Sequence, residues 1–121
     1  MRAAHLPLAW RGRSHPSYVA FLVHRLSGLA LALFLPFHFW ALGTTLQGEA
    51  ALDGFLRWTD QPLVKLAETG LVVLLAAHLA GGLRVLAIEF LAWRDWQRTA
   101  VALSAGFSLA IGLLFLLGAL A

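Results

Sequence analysis

The sequence contains no cysteine, which excludes a disulfide framework and any thiolate metal site. Charge is also scarce: Asp, Glu, Lys and Arg make up 12% of the residues, about half the share of an ordinary soluble domain. The few basic residues do not form an aromatic-interleaved patch, so nucleic acid is not implied. Gly-rich phosphate loops, His-x-Glu or HExxH metal patterns and a Ser/His/Asp arrangement in a soluble setting are all missing. Histidine, with 5 copies, is the one strong nitrogen ligand left. What the chain has in abundance is apolar surface, at 60% hydrophobic residues and a mean hydropathy of +0.79. This is the composition of a membrane protein.

A spanning helix needs about 20 residues, so 121 residues have room for three spans and little else. Apolar runs predict them over about 18–43, 62–92 and 99–121. They are expected to be helices, because lipid offers backbone groups no partner outside the segment. The expected fold is therefore all-α: an N-terminal segment, 1–17, followed by a single three-helix transmembrane domain, 18–121. The N-terminus "MRAAHLPLAWRGRSHPSY" is basic but lacks the apolar run and small-residue cleavage site of a signal peptide, and is read as a mature interfacial segment.

Arg2, Arg11 and Arg13 crowd that segment, and Arg94 and Arg98 sit in the short second connection, "WRDWQR". The first connection, "TTLQGEAALDGFLRWTDQ", sets Glu49, Asp53 and Asp60 against Arg57. By the positive-inside rule the N-terminus and second connection face the cytoplasm, with the acidic connection and the C-terminus outside. Trp40, Trp58, Trp93 and Trp96 fall near the span ends, where indole rings favour the headgroup zone.

Against this background the titratable groups inside the apolar runs stand out, since hydrocarbon makes them expensive. "VHRLSG", 23–28, opens the first span, and "AAHLAGGLRVLAIE", 76–89, lies in the second. His24 and His38 are 14 residues apart, close to four helical turns, which puts both near one face with Gly28, Leu31 and Leu35. His78, Gly82, Val85 and Glu89 recur at spacings of 4, 3 and 4 on a face of the second span.

A histidine one turn from a glycine suits axial ligation of haem iron, because the flat macrocycle needs room beside the backbone. The same histidine could instead hydrogen-bond a neighbouring helix. Arg25 and His24 either reach headgroups or hold an anionic or carbonyl oxygen, such as a haem propionate or a quinone. Arg84 and Glu89 are spaced i, i+5, a poor intrahelical pair, and so are expected to have separate partners. Ser104, Ser108, Gly106, Gly112 and Gly118 on the third span are expected to mediate helix packing.

"HRLSG" at 24–28 opening the first of three spans, with "HLAGGLR" at 78–84 in the next and Glu89 beyond it, resembles the cytochrome b membrane-anchor subunit of succinate dehydrogenase, a design shared with fumarate reductases. The resemblance covers roughly residues 15 to 120. It implies that His78 is an axial ligand of haem b, that His24, Arg25 and Arg84 lie toward the haem, and that the quinone, ubiquinone or menaquinone, sits beside Arg25 with Phe21 and Ser27. It also implies a bacterial inner-membrane location, a second small anchor subunit packing with this chain into a haem-binding bundle, an iron–sulfur subunit and a flavoprotein.

Two positions depart from the family pattern. Phe21 stands where a quinone-contacting serine is common, and "GLRV" ends in Val85 where "GIRH" has a histidine. His38 is a possible second axial ligand, as in forms whose first helix also ligates haem. Two further readings stay open: the anchor of a fumarate reductase or of another haem b complex, and a non-haem accessory membrane protein.

Overall fold

The computed structural model describes residues 15–91 and 96–121. The chain forms α1 (Pro16–Gly43), a 3₁₀ turn (Thr44–Gln47), α2 (Glu49–Thr59), α3 (Pro62–Leu91) and α4 (Gln97–Leu120), with no strand among the described residues. Helices α1, α3 and α4 are each long and apolar enough to cross a membrane, so this is a multi-pass helical membrane protein. Helix α1 starts at Pro16, whose missing amide costs nothing at a helix start, and the His15 Nδ1 accepts the Ser17 amide at 3.1 Å. Pro36 lies within α1 and removes the amide that would bond the carbonyl of Ala32, a defect membrane helices tolerate.

Where the sequence suggested only a connection, the structure has an amphipathic helix. Gly48, at a φ of 107°, makes the turn that starts α2. Ala51, Leu52, Phe55 and Thr59 face inward, while Glu49, Asp53 and Arg57 are exposed. Such a helix has one apolar side and one charged side, which suits the plane of the interface rather than a crossing. Just beyond it, Lys65 pairs with Asp60 at 3.8 Å and Glu68 at 3.3 Å.

The three spans pack inside out relative to a soluble protein. Among the described residues the one buried hydrophobic side chain is Ala76, whereas Ser27, Thr44, Thr59, Arg84, Gln97 and Ser108 are all buried. Large side chains such as Leu33, Leu63 and Phe90 point outward. Lipid is as apolar as leucine, so burying leucine between helices gains little; small residues that let backbones approach, and polar groups that find partners there, make the seams. The Ser104 and Ser108 hydroxyls donate to the carbonyls of Ala100 and Ser104 at 2.8 and 2.7 Å, which satisfies them within α4.

His24, early in α1, meets His78 and Gly81, late in α3, while Gly112, late in α4, meets Val73, early in α3. Successive spans are therefore antiparallel. The start of α1, the end of α3 and the start of α4 share one end of the bundle.

The packing role expected of the α4 glycines holds for Gly112 alone, since Gly106 and Gly118 face open space. A side chain at Gly112 would collide with Val73. Gly112→Val is expected to destabilise the bundle by about 1–3 kcal/mol, the usual cost of overpacking. Gly118→Val should leave the thermal midpoint of the assembled protein unchanged. Equal midpoints for the two variants would show that the seam does not depend on Gly112.

Candidate functional site

Two histidines from different helices come together 54 residues apart in sequence. The rings of His24 and His78 stack with centroids 4.5 Å apart and planes within 6°. Two glycines make that approach possible. A Cβ on Gly28 would lie 2.8 Å from Cε1 of His78, and one on Gly81 would lie 2.9 Å from Nδ1 of His24. Each imidazole thus occupies the space of a missing side chain on the opposite helix. The sequence had suggested Gly82 as the close-approach glycine; its Cβ would meet His24 only at 3.5 Å, and Gly81 is the tighter of the pair.

The hydrogen bonds around His78 assign its tautomer. The Ser27 hydroxyl donates to the carbonyl of His24 at 2.9 Å, and Nδ1 of His78 lies 3.2 Å from that carbonyl and 3.3 Å from the Ser27 Oγ. A carbonyl only accepts, and the serine proton is already committed, so Nδ1 of His78 carries the hydrogen. Nε2 makes no hydrogen bond among the described residues. Ser27 is 1% exposed and faces this network rather than a ligand-sized opening.

His24 and His78 border a groove of about 400 Å³, open to one side and walled by Leu79, Gly82, Leu83, Val85 and Leu86. An imidazole whose Nδ1 is held by a carbonyl, on a residue that lines an apolar groove, fits the donor set of a haem ligand. The stacking also limits what the pair can do. Ring lone pairs lie in the ring planes, so two parallel stacked imidazoles point side by side and cannot ligate one iron from opposite faces. His24 is instead a cover for His78, with its own Nδ1 buried and without a partner among the described residues.

The remaining expected site residues are spread over the bundle. Arg25 is exposed beside it, its guanidinium 6.0 Å from the centre of the Phe21 ring, which is itself half exposed. Arg84 is buried and lines a different cavity, between α1, α3 and α4. Glu89 is exposed, and Val85 lies on the groove wall. His38 is exposed near the far end of α1, next to Phe34 at 5.7 Å and Phe39 at 6.3 Å. Arg2, Arg11, Arg13, Trp93 and Arg94 lie outside the described residues.

Sequence reasoning singled out His24, His78 and Gly28 but did not bring them to one point, and it missed Gly81 and the role of Ser27. The signal for Gly81 was present in the glycine pair at 81 and 82. No curated protein matches the chain. Residues 5–119 match the family described as the succinate dehydrogenase/fumarate reductase transmembrane subunit. With that match spanning almost the whole chain, and three helices apolar enough to cross a membrane, the chain belongs to the family of membrane subunits of succinate dehydrogenase and fumarate reductase complexes.

Proposed function

We propose that this chain is the cytochrome b anchor subunit of a succinate dehydrogenase, respiratory complex II, in a bacterial inner membrane with its N-terminus on the cytoplasmic side. The observation that carries the reading is the setting of His78, whose Nδ1 lies 3.2 Å from the His24 carbonyl and 3.3 Å from the Ser27 Oγ at a groove beside the helix. His78 would hold haem b, together with a further imidazole from a second small anchor subunit. Haem b, when bound, supplies a one-electron carrier and ties the anchor subunits together.

The chain's own residues do the positioning. Ser27 and the His24 carbonyl fix the orientation of the ligand ring, and a ligand held by outer hydrogen bonds is also a more basic one. The stacked His24 ring closes one face of His78 against other contacts. Electrons reach the membrane from succinate oxidation in a flavoprotein through an iron–sulfur subunit. The quinone, ubiquinone or menaquinone, is reduced beside Arg25 and Phe21, at the end of the bundle that faces those subunits. The Arg25 guanidinium donates hydrogen bonds to a quinone oxygen and stabilises negative charge developing there. A fumarate reductase anchor would use the same residues, the direction being set by the quinone and the soluble subunits.

A reduced-minus-oxidised optical spectrum of the purified complex tests the reading: a low-spin b-type signal is expected, and its absence refutes haem binding. One haem per flavin is expected as well. His38 stands 14 residues from His24, about 21 Å along the helix, too far to serve the same iron. His38→Leu should therefore leave the haem-to-flavin ratio unchanged. A ratio of two in the wild type that falls to one in this variant would assign a second haem to His38.

A further inference from the structure

We propose that the cavity between α1, α3 and α4 is a binding site for an anionic phospholipid, with its phosphate on the Arg84 guanidinium and an acyl chain along the apolar walls. The cavity has a volume of about 290 Å³ and is walled mainly by Val19, Val23, Ala77, Val101, Ala105 and Leu109. Arg84 lines it while only 9% exposed, and its Nε is buried with no hydrogen-bond partner among the described residues. The cavity lining includes no carboxylate. Ser104 and Ser108 also line it, but both hydroxyl protons are committed to carbonyls of α4. Arg84, which also borders the neighbouring slot between α3 and α4, is therefore the donor that the cavity offers.

The charge decides the ligand class. A quinone or ester carbonyl could accept a hydrogen bond but would leave a full positive charge in a low-dielectric slot, whereas an anion neutralises it. The planar fork of arginine matches two phosphate oxygens at once. The shape decides the source. A second helix, about 10 Å across, does not fit a slot of this volume, but an acyl chain does.

The cavity also has the polarity of a membrane lipid. Arg84 lies toward the bundle end where α3 stops and α4 starts, level with Val101 and Ser104. The apolar walls continue inward past Ala77 to Leu109, about 12 Å along α4 from Val101. A headgroup at that end with its chain pointing to the bilayer centre has the orientation of any lipid in the same leaflet. This inference is independent of the haem.

The test is reconstitution of the purified complex in phosphatidylcholine vesicles carrying spin-labelled phosphatidylglycerol or spin-labelled phosphatidylcholine, with the motionally restricted fraction read by electron paramagnetic resonance. The Arg84-dependent preference for phosphatidylglycerol is expected to be about fivefold, the factor that corresponds to about 1 kcal/mol for one basic side chain near an anionic lipid. Arg84→Gln should bring it to parity. Ala105→Trp, which fills the cavity and keeps the arginine, should abolish it too, and this variant answers the question if Arg84→Gln fails to assemble. A preference that survives either change, or equal restriction of the two lipids in the wild type, overturns the proposal. Restriction of spin-labelled stearate in place of phosphatidylglycerol would overturn it by assigning the site to a free fatty acid.

Discussion

His78→Ala is expected to eliminate haem b from the complex, leaving less than about a tenth of the wild-type haem per flavin. Losing even an outer-shell partner of a metal ligand typically costs about 10–100-fold in affinity, and here the ligand itself is removed. The alanine would also leave empty the space beside Gly28 that the imidazole fills, so no neighbouring group is pressed forward to replace it. Haem-to-flavin stoichiometry and the reduced-minus-oxidised spectrum of the purified complex measure the outcome. Retention of a normal low-spin haem would show that His78 is a packing histidine.

Ser27→Ala separates the ligand from its support. It removes one of the two acceptors around the Nδ1–H of His78 and leaves the His24 carbonyl in place, a change of about 1 kcal/mol by the usual worth of a hydrogen bond. The haem should remain, with a shifted potential or band position. If instead Ser27→Ala loses quinone reduction and leaves the haem signal untouched, the serine belongs to the quinone site, as the family resemblance first suggested.

The parts of this molecule that could be read from one sequence are those written in a single apolar run. Three spans are legible because a stretch such as 99–121 has nowhere to go but lipid. Helix α2 was hidden because its inward positions, Ala51, Leu52, Phe55 and Thr59, include few large apolar side chains and are interleaved with Asp53 and Arg57, so that average hydropathy reads as a polar connection. The pairing of His24 with His78 was legible only as two separate oddities. Which turns of two helices lie level depends on their relative shift, and that shift is set here by Gly28 and Gly81 admitting imidazole rings. Arg84 shows the same limit. It follows His78 by 6 residues, well round the helix from it, and the structure puts it on the α4 side, in a cavity that has no lining residue in common with the histidine groove.

Arg25→Leu is expected to lower quinone reduction by at least about tenfold, while succinate oxidation with a soluble artificial acceptor stays close to wild type. Arg25 lies in the first turns of α1, exposed beside the histidine groove with Phe21 alongside, at the end of the bundle where the proposed electron donor docks. A guanidinium there offers several hydrogen bonds in a fixed plane to an oxygen that gains negative charge during reduction, and removing one such donor typically costs about 10²–10³ in rate where the charge is well enclosed. Arg25 is exposed, so a smaller factor, about tenfold, is the least expected here. Arg25→Lys distinguishes the two ways an arginine can help. Lysine keeps the charge and loses the planar fork, so substantial residual quinone reduction indicates electrostatic stabilisation, and near-complete loss indicates oriented hydrogen bonding. Equal loss of both activities in Arg25→Leu, or loss of neither in an assembled complex, would make Arg25 a headgroup anchor and move the quinone site elsewhere.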